Sequence, residues 1–287
     1  MLDTRMVSLA TVALAALTVA VHNDVAAQSG IASYGITGAT FDFHGGPQEQ
    51  ALGAIVQLTP APWLVLGAIP TVLRVAGSQE GTARTGLGDL PVYAGVVHGF
   101  ALPWRPTLGV TGVASLPTGN ASEGLGRGQS VMSANGTLAV SPVSMITLRA
   151  GASRVLWMGD SLPHGVATTA VFGDAVLLAG SRTNLGVGYA QELRGAAPPA
   201  YTPARVIDFT VVHTLAGRAS LIMSAGHTLA GFGPSWSFAL GFGTAFAGLS
   251  PVGATSPSAR SGGGLTQPGG AGMLPIGSAA CRLDLGC

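Results

Sequence analysis

The side chains of this chain best suited to chemistry are few and scattered. Beyond position 27 the histidines are His44, His98, His164, His213 and His227, and the only cysteines are Cys281 and Cys287. Nucleophilic catalysis needs a nucleophile, a base and an orienting acid that converge. No Gly-x-Ser-x-Gly elbow is present, and neither is a His-x-x-x-His or Cys-x-x-Cys spacing that would hold a metal. Gly86 and Gly88 are followed by a strand pattern with no third glycine, so they are no dinucleotide fingerprint. A phosphate-cradling Gly-Lys-Ser/Thr is excluded because the chain has no lysine. The reading is therefore no catalytic, cofactor or metal residues and no enzyme, with a triad assembled from distant strands as the alternative. The charges that remain within regular segments include Arg149, Glu192 and Asp208, and what positions them decides what they do.

Composition narrows the setting. Charged residues make up 9% of the 287 positions, against roughly 25% in a typical soluble protein. Net charge is +1, which gives no case for nucleic acid. Residues 1–27 have the layout of a cleaved export signal. Arg5 precedes an apolar run from Val7 to Val21, and Val25, Ala26 and Ala27 supply the small residues of a cleavage site. That run is shorter than the roughly 20 residues a spanning helix needs. Every later apolar run is broken by Gly, Pro, Ser or Thr. A hydropathic exported chain of this kind is either soluble or crosses a membrane as a closed barrel, the only other fold that satisfies its backbone in lipid.

The periodicity favours the barrel. In 235–246, Trp236, Phe238, Leu240, Phe242 and Phe246 alternate with Ser235, Ser237, Ala239, Gly241, Gly243 and Ala245, broken only by Thr244. One face is large and apolar and the other small and uncharged, as when one meets lipid and the other lines a lumen. Alternating segments fall near 31–43, 49–59, 63–76, 88–101, 106–117, 130–141, 144–157, 168–180, 184–194, 204–215, 218–229 and 235–247, with ends good to about ±3 residues. The eighth, around Phe172, Gly173 and Asp174, alternates least clearly. Tight turns and longer polar loops alternate along the chain, which sorts short turns and both termini to the periplasmic side. Trp63, Trp104, Trp157 and Trp236 lie near strand ends, as an aromatic girdle requires. The expected fold class is all-β, a transmembrane antiparallel β-barrel of about 12 strands over 28–248. Residues 249–287 form a Gly/Pro/Ser-rich tail whose composition predicts disorder. Cys281 and Cys287 are either free or joined by a short-loop disulfide.

Two stretches stand out from this background. One is Thr85-Gly86-Leu87-Gly88-Asp89-Leu90, at the start of the fourth strand. The other is Leu116-Pro117-Thr118-Gly119-Asn120, followed by Leu125-Gly126-Arg127-Gly128. On their own they are turn chemistry: Gly permits unusual backbone angles and Asp or Asn bonds nearby backbone. Their order resembles the outer-membrane family labelled for the meta-pathway of phenol degradation, often called transporter-like. The resemblance covers roughly 30–247, and the turn at Thr59-Pro60-Ala61-Pro62-Trp63-Leu64 adds to it. It implies family-motif loops at Gly86, Gly88, Asp89, Leu116, Pro117, Thr118, Gly119, Gly126 and Gly128. It also implies a Gram-negative outer-membrane barrel that takes up aromatic or other apolar small molecules.

Parity places Arg149, Glu192 and Asp208 on the lumen side, among Gly, Ala, Ser and Thr. Rings of charge set ion selectivity in general porins, and so sparse a set suits apolar or weakly polar solutes. An equal alternative is that Arg149 and Asp208 pair across a filled interior. The functional expectation is a monomeric outer-membrane channel for passive uptake of small apolar or aromatic compounds. Its partners would be outer-membrane lipid, the barrel assembly machinery and the solute, with no cofactor and no nucleic acid. The alternatives are a structural or adhesion-type barrel with an occluded lumen, then a barrel-embedded enzyme.

Overall fold

The computed structural model describes residues 31–43, 48–61, 63–76, 83–158, 169–193, 202–215, 219–231 and 233–244. The export segment 1–27, the tail 249–287 with Cys281 and Cys287, and also His44, His164 and Phe246 lie outside the described residues.

The twelve strands are β1 (Ile31–Asp42), β2 (Gln48–Ala61), β3 (Leu64–Ala68 and Thr71–Ala76), β4 (Ala83–Leu87 and Leu90–Gly99), β5 (Thr107–Leu116) and β6 (Val131–Val143). They continue as β7 (Ile146–Met158), β8 (Thr169–Ala179), β9 (Thr183–Leu193), β10 (Arg205–Thr214), β11 (Ser220–Ala230) and β12 (Trp236–Gly243). Each strand pairs antiparallel with its sequence neighbours. β1 pairs both with β2 and with β12, so the sheet closes on itself, and Ala83–Leu87 is the one segment among the described strands paired on one side alone, to Thr71–Ala76. The connection between β5 and β6 carries a short 3-10 turn, Ala121–Glu123.

Two strands are interrupted, β3 and β4. β3 breaks at Ile69 and Pro70, since proline has no N–H to donate. The gap is bridged from both neighbours: Ala54 N–H donates to the Pro70 carbonyl (3.0 Å) and Ile69 N–H to the Pro91 carbonyl (2.9 Å). β4 breaks at Gly88 and Asp89, where Gly88 N–H still reaches the Thr71 carbonyl (2.8 Å). The sequence reading started the fourth strand at 88. The strand already runs from Ala83, so Gly88 and Asp89 are a break within it.

Alternation along each strand sorts side chains by face. Leu58, Leu108, Val110, Leu148, Leu156, Phe209, Phe238 and Leu240 are exposed on the outside, which forms an apolar band. A soluble sandwich would turn these residues inward. Trp63 and Trp104 are exposed at the end of the barrel carrying the tight turns, and Trp236 at the end carrying the long connections. β1 begins, and β12 ends, at the tight-turn end. His213 and His227 share the outward parity near strand ends. His213 Nδ1 bonds Thr183 Oγ1 (2.9 Å), and the His227 ring lies 4.4 Å from that of Trp236.

The small residues of the inner face leave room for larger ones on adjacent strands. Tyr93 of β4 lies across Gly67 of β3, and its hydroxyl donates to Gln57 Oε1 of β2 (3.2 Å). A Cβ at Gly67 would collide with the Tyr93 ring. Gly67→Ala must therefore displace Tyr93 and break the bond to Gln57. We expect a loss of about 1–3 kcal/mol, the usual scale of overpacking, measured by urea unfolding in detergent micelles. Ala at Gly136, where nothing lies within 4 Å of an added Cβ, is the control. Equal stability of the two variants would contradict the packing described.

Candidate lumen site

Three groups of side chains shape the interior. The first is apolar. Ile55 of β2 packs against Ile69 of β3 and against Ile222 of β11. β2 and β11 are separated by β1 and β12, about 14 Å around the wall at three strand spacings. The contact is possible because the intervening inner positions are small. Ile222 is in register with Gly241 and through it with Thr37, while Ile55 is in register with Gly35 and through it with Gly243. The small face of β12 is thus the floor over which these isoleucines meet, and they narrow the lumen there. Val65 and Val212 are also buried.

The second group is charged. Arg149 of β7 and Asp174 of β8 are register partners, and Arg149 Nε donates to Asp174 Oδ1 at 2.8 Å. Asp208 of β10 is 4% exposed and sits in the same interstrand row, with Gly188 of β9 between it and Asp174. Its carboxylate leans over Gly188, where a Cβ would collide with Oδ1. The alternative in which Arg149 pairs with Asp208 is corrected: the hydrogen-bonded partner of Arg149 is Asp174. Asp174 escaped the sequence reading because β8 turns Phe172, Val176 and Leu178 to the inner face, which blurs its alternation. Glu192 keeps its inward parity but has a local task. Its Oε2 accepts from Ala204 N–H (2.9 Å), which fixes the segment leading into β10. Buried Glu49 of β2 adds a further acid to the inner face, so the interior carries more charge than Arg149, Glu192 and Asp208 alone.

The third group is built by the two motif stretches, which meet although some 30 residues separate them in sequence. Asp89, buried at the break in β4, accepts from Gly119 N–H (3.1 Å, Oδ1) and from Arg127 N–H (2.8 Å, Oδ2). Thr118 Oγ1 donates to the Gly88 carbonyl (2.7 Å). Leu125, 2% exposed, covers the inner face of Gly86, and Gly119 packs against Gly126. Gly128 closes the loop with φ +69°, a conformation that suits glycine. Leu116 and Pro117 are exposed where β5 ends. Burial lowers the Arg127 guanidinium from its ordinary value, and neighbouring Asp89 offsets part of that. Arg127 stays cationic. The 117–130 connection is thereby held to the inner wall of β4. Turn chemistry was legible at each stretch separately; their contact was not.

No group of three His, Cys, Asp or Glu among the described residues could hold a metal ion.

A closed, apolar-coated, twelve-stranded antiparallel ring defines the architectural class of outer-membrane barrels. No family model and no curated protein matches the chain. Among solved structures, the chain is similar in fold to an outer-membrane channel from Pseudomonas putida F1, with TM-score 0.56 and 16% identity over 77% of this chain and 97% of that one. The beta domain of the Bordetella autotransporter BrkA matches with TM-score 0.45 and 14% identity over 76% and 99% of the two chains. Outer membrane phospholipase A from Escherichia coli matches with TM-score 0.42 and 12% identity over 74% and 91%. The first of these shares the fold; the other two are too distant to carry an argument.

Proposed function

We propose that the chain is a Gram-negative outer-membrane channel for passive passage of small apolar or aromatic compounds, and that it performs no catalysis. The observation that carries this reading is the inner face. It sets an apolar narrowing, Ile55 with Ile69 and Ile222, in a wall where Arg149 is paired to Asp174. A pore for anions or for cations in bulk would carry a ring of one sign. A weakly polar solute needs no such ring, and the isoleucines offer it apolar contact. Diffusion down a gradient needs no cofactor. The long connections would face outward from the cell and the tight turns the periplasm.

A second reading, a structural barrel with a closed lumen, is favoured by the same isoleucines together with Leu125 on the inner wall. Single-channel recording of refolded protein in planar bilayers separates the two. Discrete conductance steps are expected of the channel. A silent bilayer holding protein that still migrates as a folded barrel on unboiled gels would favour the closed form.

A further inference from the structure

We propose that Asp174 and Asp208 form a single-cation site on the lumen wall. If the channel reading holds, on which this second step rests, the barrel passes neutral and cationic solutes and rejects anions. Three observations on adjacent strands support the site. Among the described residues the guanidinium at this wall is that of Arg149, which spends its Nε on Asp174 Oδ1 and so balances one carboxylate. Two carboxylate oxygens are left over: Asp174 Oδ2 and Asp208 Oδ1 are both buried and have no hydrogen-bond partner among the described residues. Both side chains are more than nine-tenths buried. The third observation is the glycine between them. Gly188 is in register with Asp174 on one side and with Asp208 on the other. Without a Cβ it lets the Asp208 carboxylate lie down toward β8, and any larger residue would block that approach. On the far side, Asp208 is in register with Gly226, over which the Ser237 hydroxyl lies.

Two carboxylates against one guanidinium leave one uncompensated negative charge out of bulk water. Such a charge is costly unless an opposite charge joins it. The missing charge is positive, and its ligands are two carboxylate oxygens. These suit a small monovalent cation, or an ammonium group presented by a solute, since both offer the same charge to the same oxygens. An anion approaching this wall meets the unbalanced charge and is repelled.

The test uses the full-length refolded barrel and its Asp208→Asn variant, with Gly188→Ala as a second variant that fills the cradle while keeping both acids. Retained heat-modifiable migration shows that each variant folds. Thallium(I) serves as the cation probe, read by broadening of its nuclear resonance on binding in detergent. Potassium chloride gradients across planar bilayers give the selectivity. Broadening by the wild type that is lost in both variants, with cation-over-anion selectivity falling about tenfold, supports the site. Adding an alkylammonium salt shows which source fills it: competition with thallium(I) admits the organic cation, and no competition restricts the site to inorganic ions. Equal broadening by the wild type and Asp208→Asn overturns the proposal, whether or not the barrel conducts. A wild type that neither binds thallium(I) nor selects cations at neutral pH also overturns it. Specific binding in a barrel that never conducts leaves the cation site standing and removes the channel reading instead.

Discussion

Asp89→Ala should release the loop between β5 and β6 from the inner wall of the barrel. The carboxylate is the shared acceptor for Gly119 N–H and Arg127 N–H, two amides from opposite ends of that loop. A hydrogen bond to an ionised group contributes about 1.5–3 kcal/mol, so losing both costs the loop about 3–6 kcal/mol of local stability. The strand ladders on either side do not depend on Asp89, so the barrel should still close. The effect is therefore local opening, of the kind that hydrogen exchange and proteolysis report. The amides of Gly119 and Arg127 are expected to lose protection, and trypsin to cut after Arg127, which is half-buried in the wild type. Asp89→Asn keeps the shape and one carbonyl acceptor and should fall between the two. A loop that stays protected in Asp89→Ala would show that Leu125 on Gly86 and Thr118 on the Gly88 carbonyl hold it without the carboxylate.

The second large effect is expected at the isoleucines. Replacing Ile55 and Ile222 together by Ala removes the side chains that meet across the bare inner positions of β1 and β12. In a packed core, two such truncations would cost several kcal/mol. Here the groups project into a lumen, so the larger consequence should be a wider passage. Single-channel conductance is expected to rise severalfold over the wild type, with folded migration retained. Gly241→Leu makes the opposite change, by putting a large side chain on the floor between them, and should lower conductance. Unchanged conductance in both variants would place the narrowest point elsewhere.

Much of the fold was legible because strand alternation is a local signal. β12 announces itself in Trp236, Phe238 and Leu240 against Ser237, Ala239 and Gly241, and the observed exposures follow that order. β8 resisted because its inner face carries Phe172, Val176 and Leu178, so neither face reads as polar. Phe172 fits there because it lies over Gly151 of β7, a relation between strands that periodicity within one strand does not contain. The site was legible in its members more than in its pairings. Arg149, Glu192 and Asp208 are all on the inward parity. Yet the partner of Arg149 is fixed by the register of β7 on β8, and the task of Glu192 by where Ala204 passes. The same holds for Asp89. Its side chain reads as a turn former, while its acceptor role depends on a loop that returns about 30 residues later.

The central claim is that the lumen conducts small apolar molecules. The most direct measurement is entry of an uncharged aromatic fluorophore, N-phenyl-1-naphthylamine, into Gram-negative cells whose outer membrane holds the barrel. Its fluorescence rises only when it passes the lipopolysaccharide leaflet. Faster entry than in cells carrying the vector alone, and faster still with Ile55→Ala and Ile222→Ala combined, is the predicted result. The same rate in all three strains, with folded barrel confirmed in the outer membrane, would contradict the account.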